Sequence, residues 1–389
     1  MAVSDDLNER DSDPTWVSTI LEGKLADFTP KCLTDVGRIK ELKIISMGIR
    51  STTYEAIADR GRVLIKAMRR LEDDNIEPLV LEYLTRSGFK QAPQLFCSVY
   101  YGNYPYLIMT EFIDGVPVAA DYVTAASKRD LNMSKRLSNE IGPIVSRLHY
   151  SLSKCRHSWC KPEPIAEDDI NRWVGRLLWR ASWLRTEGAS RVSENEKPLI
   201  YESADALEDL ATSLRPVALN MIGELKQRTH GDLHLYQIMR TESDEIFITD
   251  FEGEPYKMPG NKMEKEPTSR DLAALARSLD YAAIMGEQLR SGAPLSYVAL
   301  WPPSESLEWE TSSFSYLLAS YRSASEDAGF LDYNRISDEL SFWLVERASY
   351  ESVYELVART GYHYIPLSAI LRMRDGKDPL FRLLSQGRL

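Results

Sequence analysis

The chain has 389 residues, 43% hydrophobic and 27% charged, which is enough apolar side chain to bury a full core and excludes wholesale disorder. Lysine plus arginine number 47 against 58 aspartate plus glutamate, and the net charge of −11 argues against nucleic acid and anionic membrane surfaces as partners. No run approaches the roughly 18 apolar residues of a membrane span, and the 4 cysteines are too few for a disulfide scaffold. At about 150 residues per domain the length suggests two to three domains or lobes.

Residues 1–14, MAVSDDLNERDSDP, read as a frayed acidic tail with neither the basic nor the apolar region of a signal peptide. The expectation is a soluble cytoplasmic protein, monomer or homodimer. Trp16, Val17, Ile20 and Leu21 have the spacing of a short amphipathic helix. From Ile39 the texture becomes β-like: 39–46, 52–58 and 62–68 are rich in β-branched residues, with turns at Gly48 and Asp59-Arg60-Gly61. A helix from Glu77 to Ser87 stops at Gly88, and strands at 94–101 and 106–113 follow. After Asp114-Gly115 helical patterns dominate, at 130–153, 168–185, 203–227, 269–288, 307–327 and 335–359. One strand-like stretch, 230–255, interrupts them. The fold class expected is α+β: residues 1–38 a tail and short helix, 39–114 a small antiparallel-sheet lobe, 115–389 a large α-rich lobe.

The chemistry concentrates in that interrupting stretch, THGDLHLYQIMR followed by IFITDFEGEP. Asp232 and Gln237 are five apart, and Asp250 ends an apolar strand 13 residues later. Phosphoryl transfer needs such a set: one carboxylate to orient the acceptor hydroxyl and take its proton, and an amide oxygen with a second carboxylate to hold Mg²⁺ on the nucleotide phosphates. The spacing resembles the protein-kinase catalytic loop and its Asp-Phe-Gly, with Gln237 in the asparagine position and Glu252 in the glycine position. Asp232 is thus the candidate base, and Gln237 and Asp250 the candidate metal ligands. Lys66, ending the strand RVLIK, resembles the kinase lysine that contacts the α- and β-phosphates. No GxGxxG covers the phosphates, so the loop SMGIRSTT would use backbone N–H groups and the hydroxyls of Ser51 and Thr52. Adenine would dock on the stretch MTEFI at 109–113, against the backbone of Glu111 and Ile113 with Met109 and Phe112 as walls.

The string HGDLHLYQ…DFEGEP resembles the maltokinase group of the aminoglycoside-phosphotransferase-like kinases, whose pattern is HGDxHLGQ…DFEGEP. PEP at 162–164, PTSRDLAALARSLDYAA at 267–283 and RASYESVYELVARTGYHYIPL at 347–367 also look like family segments, in order. The resemblance covers residues 40–371 and implies a two-lobed protein-kinase-like fold with ATP and Mg²⁺ as cofactors. It departs at Tyr236, which replaces a glycine, and in having only some 40 residues where the family carries a cap subdomain. Family spacing names Glu77, rather than Glu82, as the carboxylate partner of Lys66. Asp271 would bond backbone N–H groups of the catalytic loop, and His230 would brace it.

The implied acceptor is maltose, phosphorylated at its anomeric hydroxyl, with an amino sugar such as glucosamine as the alternative and a non-catalytic nucleotide-binding regulator as the reading outside enzymes. Tyr350 and Glu351 match the family tail and rank first as acceptor contacts, with His234 and Glu252 beside them. Trp173, Trp179, Trp183, His149, His157, Tyr354 and Glu355 are further candidates by residue type, since sugars bind aromatic faces and carboxylates. Trp179 and Trp183 share a helix face, which more often faces a core. Cys155-x-His157-x-x-Cys160 shows only three ligands for zinc and is not read as a metal site.

Overall fold

The computed structural model describes residues 10–48, 50–72, 74–255, 263–328, 336–359 and 361–388, with the backbone alone at 336–338. Most of the acidic tail (1–9) and Ile49 of the expected phosphate loop lie outside the described residues. Contacts divide the chain into two units: Met1–Val116 with Gln237–Glu264, and Pro117–Tyr236 with Lys265–Leu389.

The first unit begins with α1 (Pro14–Leu21), capped by Asp13, whose side chain accepts from the Thr15 N–H at 2.8 Å. Strands β1 (Phe28–Cys32), β2 (Ile39–Met47), β3 (Ser51–Ala58) and β4 (Gly61–Met68) precede α2 (Glu77–Ser87), and β5 (Leu95–Tyr101) and β6 (Tyr104–Glu111) follow it. They form one antiparallel sheet in the order β1-β5-β6-β4-β3-β2. β1 was not expected, because FTPKC is short and contains Pro30. A proline lacks the ladder N–H and is tolerated on an edge strand, which is where β1 lies. α2 ends at Gly88, whose φ of 76° is left-handed backbone open to glycine at little cost. The hairpin β10 (Ile238–Thr241) and β11 (Ile246–Ile248) belongs to this unit, with the short β7 (Gly115–Pro117) beside β10. The Ile248 N–H bonds the Gln91 carbonyl at 2.7 Å, which ties the hairpin to the segment before β5.

The second unit is helical. It holds α3 (Ala119–Ser127), α4 (Leu131–Ser153), α5 (Glu167–Trp183), α6 (Lys197–Ser213), α7 (Arg215–Leu219), α8 (Ser269–Ser291), α9 (Leu295–Leu300), α10 (Ser304–Asp327), α11 (Ile336–Ala358), α12 (Tyr364–Arg374) and α13 (Pro379–Leu384), plus a two-residue ladder of β8 (Glu163–Pro164) with β9 (Leu225–Lys226). The helix expected over 203–227 instead starts at Lys197, where Pro198 fits the first turn, and breaks before Pro216, which cannot continue the i→i−4 ladder. α4 and α10 pack through small residues: Ser134 bonds Ser313 at 2.6 Å, and Gly142 approaches the Tyr321 N–H closely enough that a Cβ would lie 2.7 Å from it. Among the described residues no helix is long and apolar enough to cross a membrane. The 4 cysteines form two bonded pairs, Cys32–Cys97 across β1 and β5 and Cys155–Cys160, so the CxHxxC sulfurs are turned to each other and not to a metal.

Candidate active site

In the first unit the side chain of Lys66 is the centre of a charge cluster. The period of two along β4 leaves Lys66 half-buried between the buried Ile65 and Ala67. Its Nζ lies 2.9 Å from Glu77 Oε2 at the start of α2, 2.8 Å from Asp250 Oδ1 and 3.1 Å from Glu252 Oε2. Burial disfavours the ammonium, but Asp250, Glu252 and Glu77 outweigh it and hold the Lys66 pKa well above the ordinary lysine value. Burial raises the Glu77 pKa as well, to about 7, against the opposing pull of Lys66. Asp250 sits at φ 65°, left-handed backbone that a non-glycine residue adopts under strain. Its Oδ2 accepts from Gln237 Nε2 at 2.9 Å, and Thr249 N–H bonds the Gln237 carbonyl at 2.8 Å, so the start of β10 and the end of β11 hold each other.

Glu77, Asp250 and Glu252 bring carboxylate oxygens within 4.8 Å of one another. Three carboxylates against one ammonium leave an excess of negative charge, and hard oxygen donors of this kind fit a hard dication such as Mg²⁺. Gln237 would join them through its amide oxygen, by turning the amide over.

Lys66, Glu77, Asp250 and Glu252 line a cleft of about 320 Å³ that also includes Ser51, Glu111 and Ile113, whereas Gln237 stands behind Asp250 and is not part of its lining. Two expectations fail here for one reason. Thr52 and Met109 are buried, and neither lines the cleft. Strand residues alternate sides, so the cleft receives Ser51 and Thr53 from β3, and Ile108 and Thr110 from β6. Phe112 is covered by the Arg62 guanidinium at 4.2 Å and is not a cleft wall. The Glu111 N–H is bonded to the Gln94 carbonyl at 2.9 Å and the Glu111 carbonyl accepts from Thr110 Oγ1 at 3.2 Å, so both backbone groups have partners within this unit. Glu252, expected at the acceptor, belongs to the Lys66 cluster instead, because the tight turn after β11 carries residues 250 and 252 to the same side.

In the second unit the loop His230–Asp232 is fixed by α8. Asp271, in the first turn of that helix, accepts from the N–H of His230 at 2.8 Å through Oδ2 and from the N–H of Gly231 at 3.0 Å through Oδ1. His149 reaches Asp271 Oδ2 at 3.0 Å with Nε2 and Tyr321 Oη at 2.9 Å with Nδ1. His149 is fully buried in this relay and is no acceptor contact. Burial raises the Asp271 pKa, but His149, His230 and the Gly231 N–H together keep it below the ordinary value. Arg270 donates to the Gly231 carbonyl at 2.9 Å. His230 Nδ1 accepts the Asp232 N–H at 3.3 Å. Gly231 takes φ 86°, left-handed backbone that glycine adopts at little cost.

Asp232 is buried, with Oδ1 2.8 Å from Arg347 Nη1 and Oδ2 3.8 Å from His234 Nε2. Burial favours its neutral form, but Arg347, His234 and His230 outweigh that and hold its pKa below the ordinary carboxylate value. His234 is partly exposed, and its ring meets Tyr236 edge to face at 6.3 Å; Tyr236 itself is 55% exposed.

The tail residues expected at the acceptor are not displayed as a sugar surface. Tyr350 is buried, with the guanidiniums of Arg347 and Arg180 over its ring at 5.0 and 5.6 Å. Glu351 is buried with Oε1 3.1 Å from Arg347 Nε and Oε2 2.9 Å from Arg277 Nε, which engages both oxygens. On a helix packed into a core both residues are surrounded whichever way they point, and a pattern match cannot report that. Tyr354 stacks on Tyr350 at 6.2 Å, and Glu355 accepts from Tyr281 Oη at 3.0 Å. Trp173 packs on Trp343 at 4.9 Å in the core, whereas Trp179 is 51% exposed and His157 stacks on Trp159. Among the described residues, Arg347 carries a contact to Asp232 from outside its loop that sequence reasoning missed. Its signal was present, since it opens the tail segment already singled out.

No family model matches the sequence. The chain is similar to a glucosamine kinase of Mycolicibacterium smegmatis, with 23% identity over 257 residues. That match covers 63% of this chain and 61% of the relative, so the chain spans about three fifths of the length of the curated relative it matches. Among solved structures, a crystal form of glucosamine kinase superposes with a TM-score of 0.70 at 17% identity, covering 93% of this chain and 81% of that one. A glucosamine kinase in complex with glucosamine, ADP and inorganic phosphate gives a TM-score of 0.71 at 16% identity, covering 93% and 83%. The shared fold is α+β, an antiparallel-sheet lobe and a helical lobe of the kinase-like type.

Proposed function

We propose that this chain transfers the γ-phosphoryl group of ATP to a hydroxyl of a sugar, with an amino sugar such as glucosamine as the leading acceptor. The observation that carries the reading is Lys66 held among Glu77, Asp250 and Glu252 in a cleft lined by one face of β3, β4 and β6. Lys66, oriented by Glu77, contacts the α- and β-phosphates. Asp250, Glu252 and Gln237 hold Mg²⁺, which neutralises phosphate charge when bound. Asp232, kept ionised by Arg347 and the two histidines, orients the acceptor hydroxyl and takes its proton. His234 and Tyr236, the more exposed groups next to Asp232, contact the sugar body; an aromatic face suits a pyranose ring. The acceptor class is supported by the names of the similar proteins. Maltose is the second reading, supported by the motif DFEGEP.

The test is sugar-dependent ADP release with MgATP over a panel containing glucosamine, glucose and maltose, with the product identified by phosphorus NMR. Phosphorylation of glucosamine ahead of maltose is the expected result. A panel with no sugar-dependent turnover, from protein that binds MgATP, refutes the acceptor class; absence of MgATP binding refutes the kinase reading altogether.

A further inference from the structure

Asp232 is gripped from the tail of the chain by one guanidinium. Arg347 of α11 places Nη1 2.8 Å from Asp232 Oδ1, and both residues are more than nine-tenths buried. The Nε edge of Arg347 lies 3.1 Å from Glu351 Oε1, one helical turn on. Glu351 Oε2 is 2.9 Å from Arg277 Nε, and Arg277 Nη1 is 2.6 Å from Asp280 Oδ2. Charges therefore alternate along Asp232, Arg347, Glu351, Arg277 and Asp280. A buried ion pair is weak evidence of stabilisation, because desolvating two charges offsets most of their attraction. Its location at a candidate base calls for a different account.

Two features supply one. Arg347 pairs with Oδ1 and leaves Oδ2 toward His234, so the two carboxylate oxygens have different charged neighbours. The residue before Arg347 lies near a second contact to the same loop: Glu346 Oε2 is in ion-pair range of Arg270 Nε at 3.6 Å, and Arg270 donates to the Gly231 carbonyl at 2.9 Å. One turn of α11 thus acts on both the side chain and the backbone of the catalytic loop.

We propose that Arg347 is a positioning residue for phosphoryl transfer, holding Oδ1 of Asp232 so that Oδ2 meets the acceptor hydroxyl, with Glu351 aligning the guanidinium. The inference rests on the reading of Asp232 as the base. The groups facing Asp232 are Arg347 from α11 and His230 and His234 from its own loop, while Asp271 of α8 faces the loop backbone. Removing Arg347 removes the largest favourable charge on the carboxylate, so the base is protonated at higher pH.

The experiment is the pH profile of kcat for sugar phosphorylation in wild type, Arg347→Gln, Arg347→Lys and Glu351→Gln, with KM for ATP and thermal melts alongside and Asp232→Asn as control. Arg347→Gln is expected to lower kcat on the order of 10²-fold, the scale of a misplaced reacting group. It should also move the acidic limb up by about one pH unit, with KM for ATP within roughly twofold. Arg347→Lys should return the limb toward wild type without restoring kcat, since an ammonium keeps the charge and loses the planar fork. Glu351→Gln preserves size and both guanidiniums, and carries the test where Arg347→Gln does not fold: its kcat should fall several-fold at unchanged KM for ATP. An unmoved acidic limb in folded Arg347→Gln, or wild-type kcat in Glu351→Gln, overturns the inference. Full activity in Asp232→Asn instead overturns the base assignment on which it stands.

Discussion

Asp271→Asn tests whether the loop bearing Asp232 is held by one carboxylate. Asp271 is buried, and its two oxygens receive the N–H groups of His230 and Gly231 and the Nε2 of His149. Asparagine fills the same space but offers one oxygen; its NH₂ must face a donor, leaving at least one buried N–H unsatisfied. A hydrogen bond to a charged group contributes about 1.5–3 kcal/mol, and an orphaned buried donor costs a similar amount. For a unit of this size the expected fall in melting temperature is roughly 2–4 °C per kcal/mol, or about 3–12 °C in all. The loop shift should also lower kcat about 10²-fold while KM for ATP holds, because Lys66 and its three carboxylates make their contacts within the other unit. The pH dependence has a definite sign. Asp271 is depressed in the fold, so its contribution is present above the unfolded carboxylate pKa and is lost as pH falls through the lower folded value. Wild type should therefore lose stability relative to Asp271→Asn below about pH 4. Thermal melts from pH 3 to 8, paired with steady-state kinetics, measure both effects. A melting temperature within 1 °C of wild type at pH 7, or a difference that grows toward acid, refutes the argument.

Three further outcomes are expected. Glu252→Gln should weaken Mg²⁺-dependent nucleotide binding, seen by calorimetry with and without the metal, and leave the sugar KM unchanged; a raised sugar KM with intact metal dependence would return Glu252 to the acceptor. Tyr236→Ala should raise the acceptor KM roughly tenfold at unchanged KM for ATP, the loss of one aromatic contact of about 1–1.5 kcal/mol. Gly142→Ala should lower the melting temperature, since a Cβ there would lie 2.7 Å from Tyr321 N and 2.8 Å from the Leu317 carbonyl, backbone that moves only by parting α4 from α10; overpacking of this kind costs about 1–3 kcal/mol.

Local chemistry carried much of this protein in its sequence. Hydrophobic period and breakers placed β2 to β6 and α2, because alternation, Gly48, Gly61 and Gly88 act within a few residues. The spacing of Asp232, Gln237 and Asp250 marked the candidate site for the same reason: its logic is contained in about 20 residues of chain. Which face of a strand meets a ligand depends on register, and a shift of one residue exchanged Thr52 for Thr53 and Met109 for Ile108 and Thr110. The edge strand β1 escaped notice because Phe28–Cys32 becomes a strand only by pairing with β5, 65 residues further on at Cys32 and Cys97. Tertiary structure alone decided the fate of the ionisable residues. Glu252 joins Lys66 across 186 positions of sequence, Arg347 meets Asp232 across 115, and Glu351 is spent on two arginines. A charge has no period and no breaker; its role depends on which opposite charge the fold buries beside it, and that is settled only when distant segments pack.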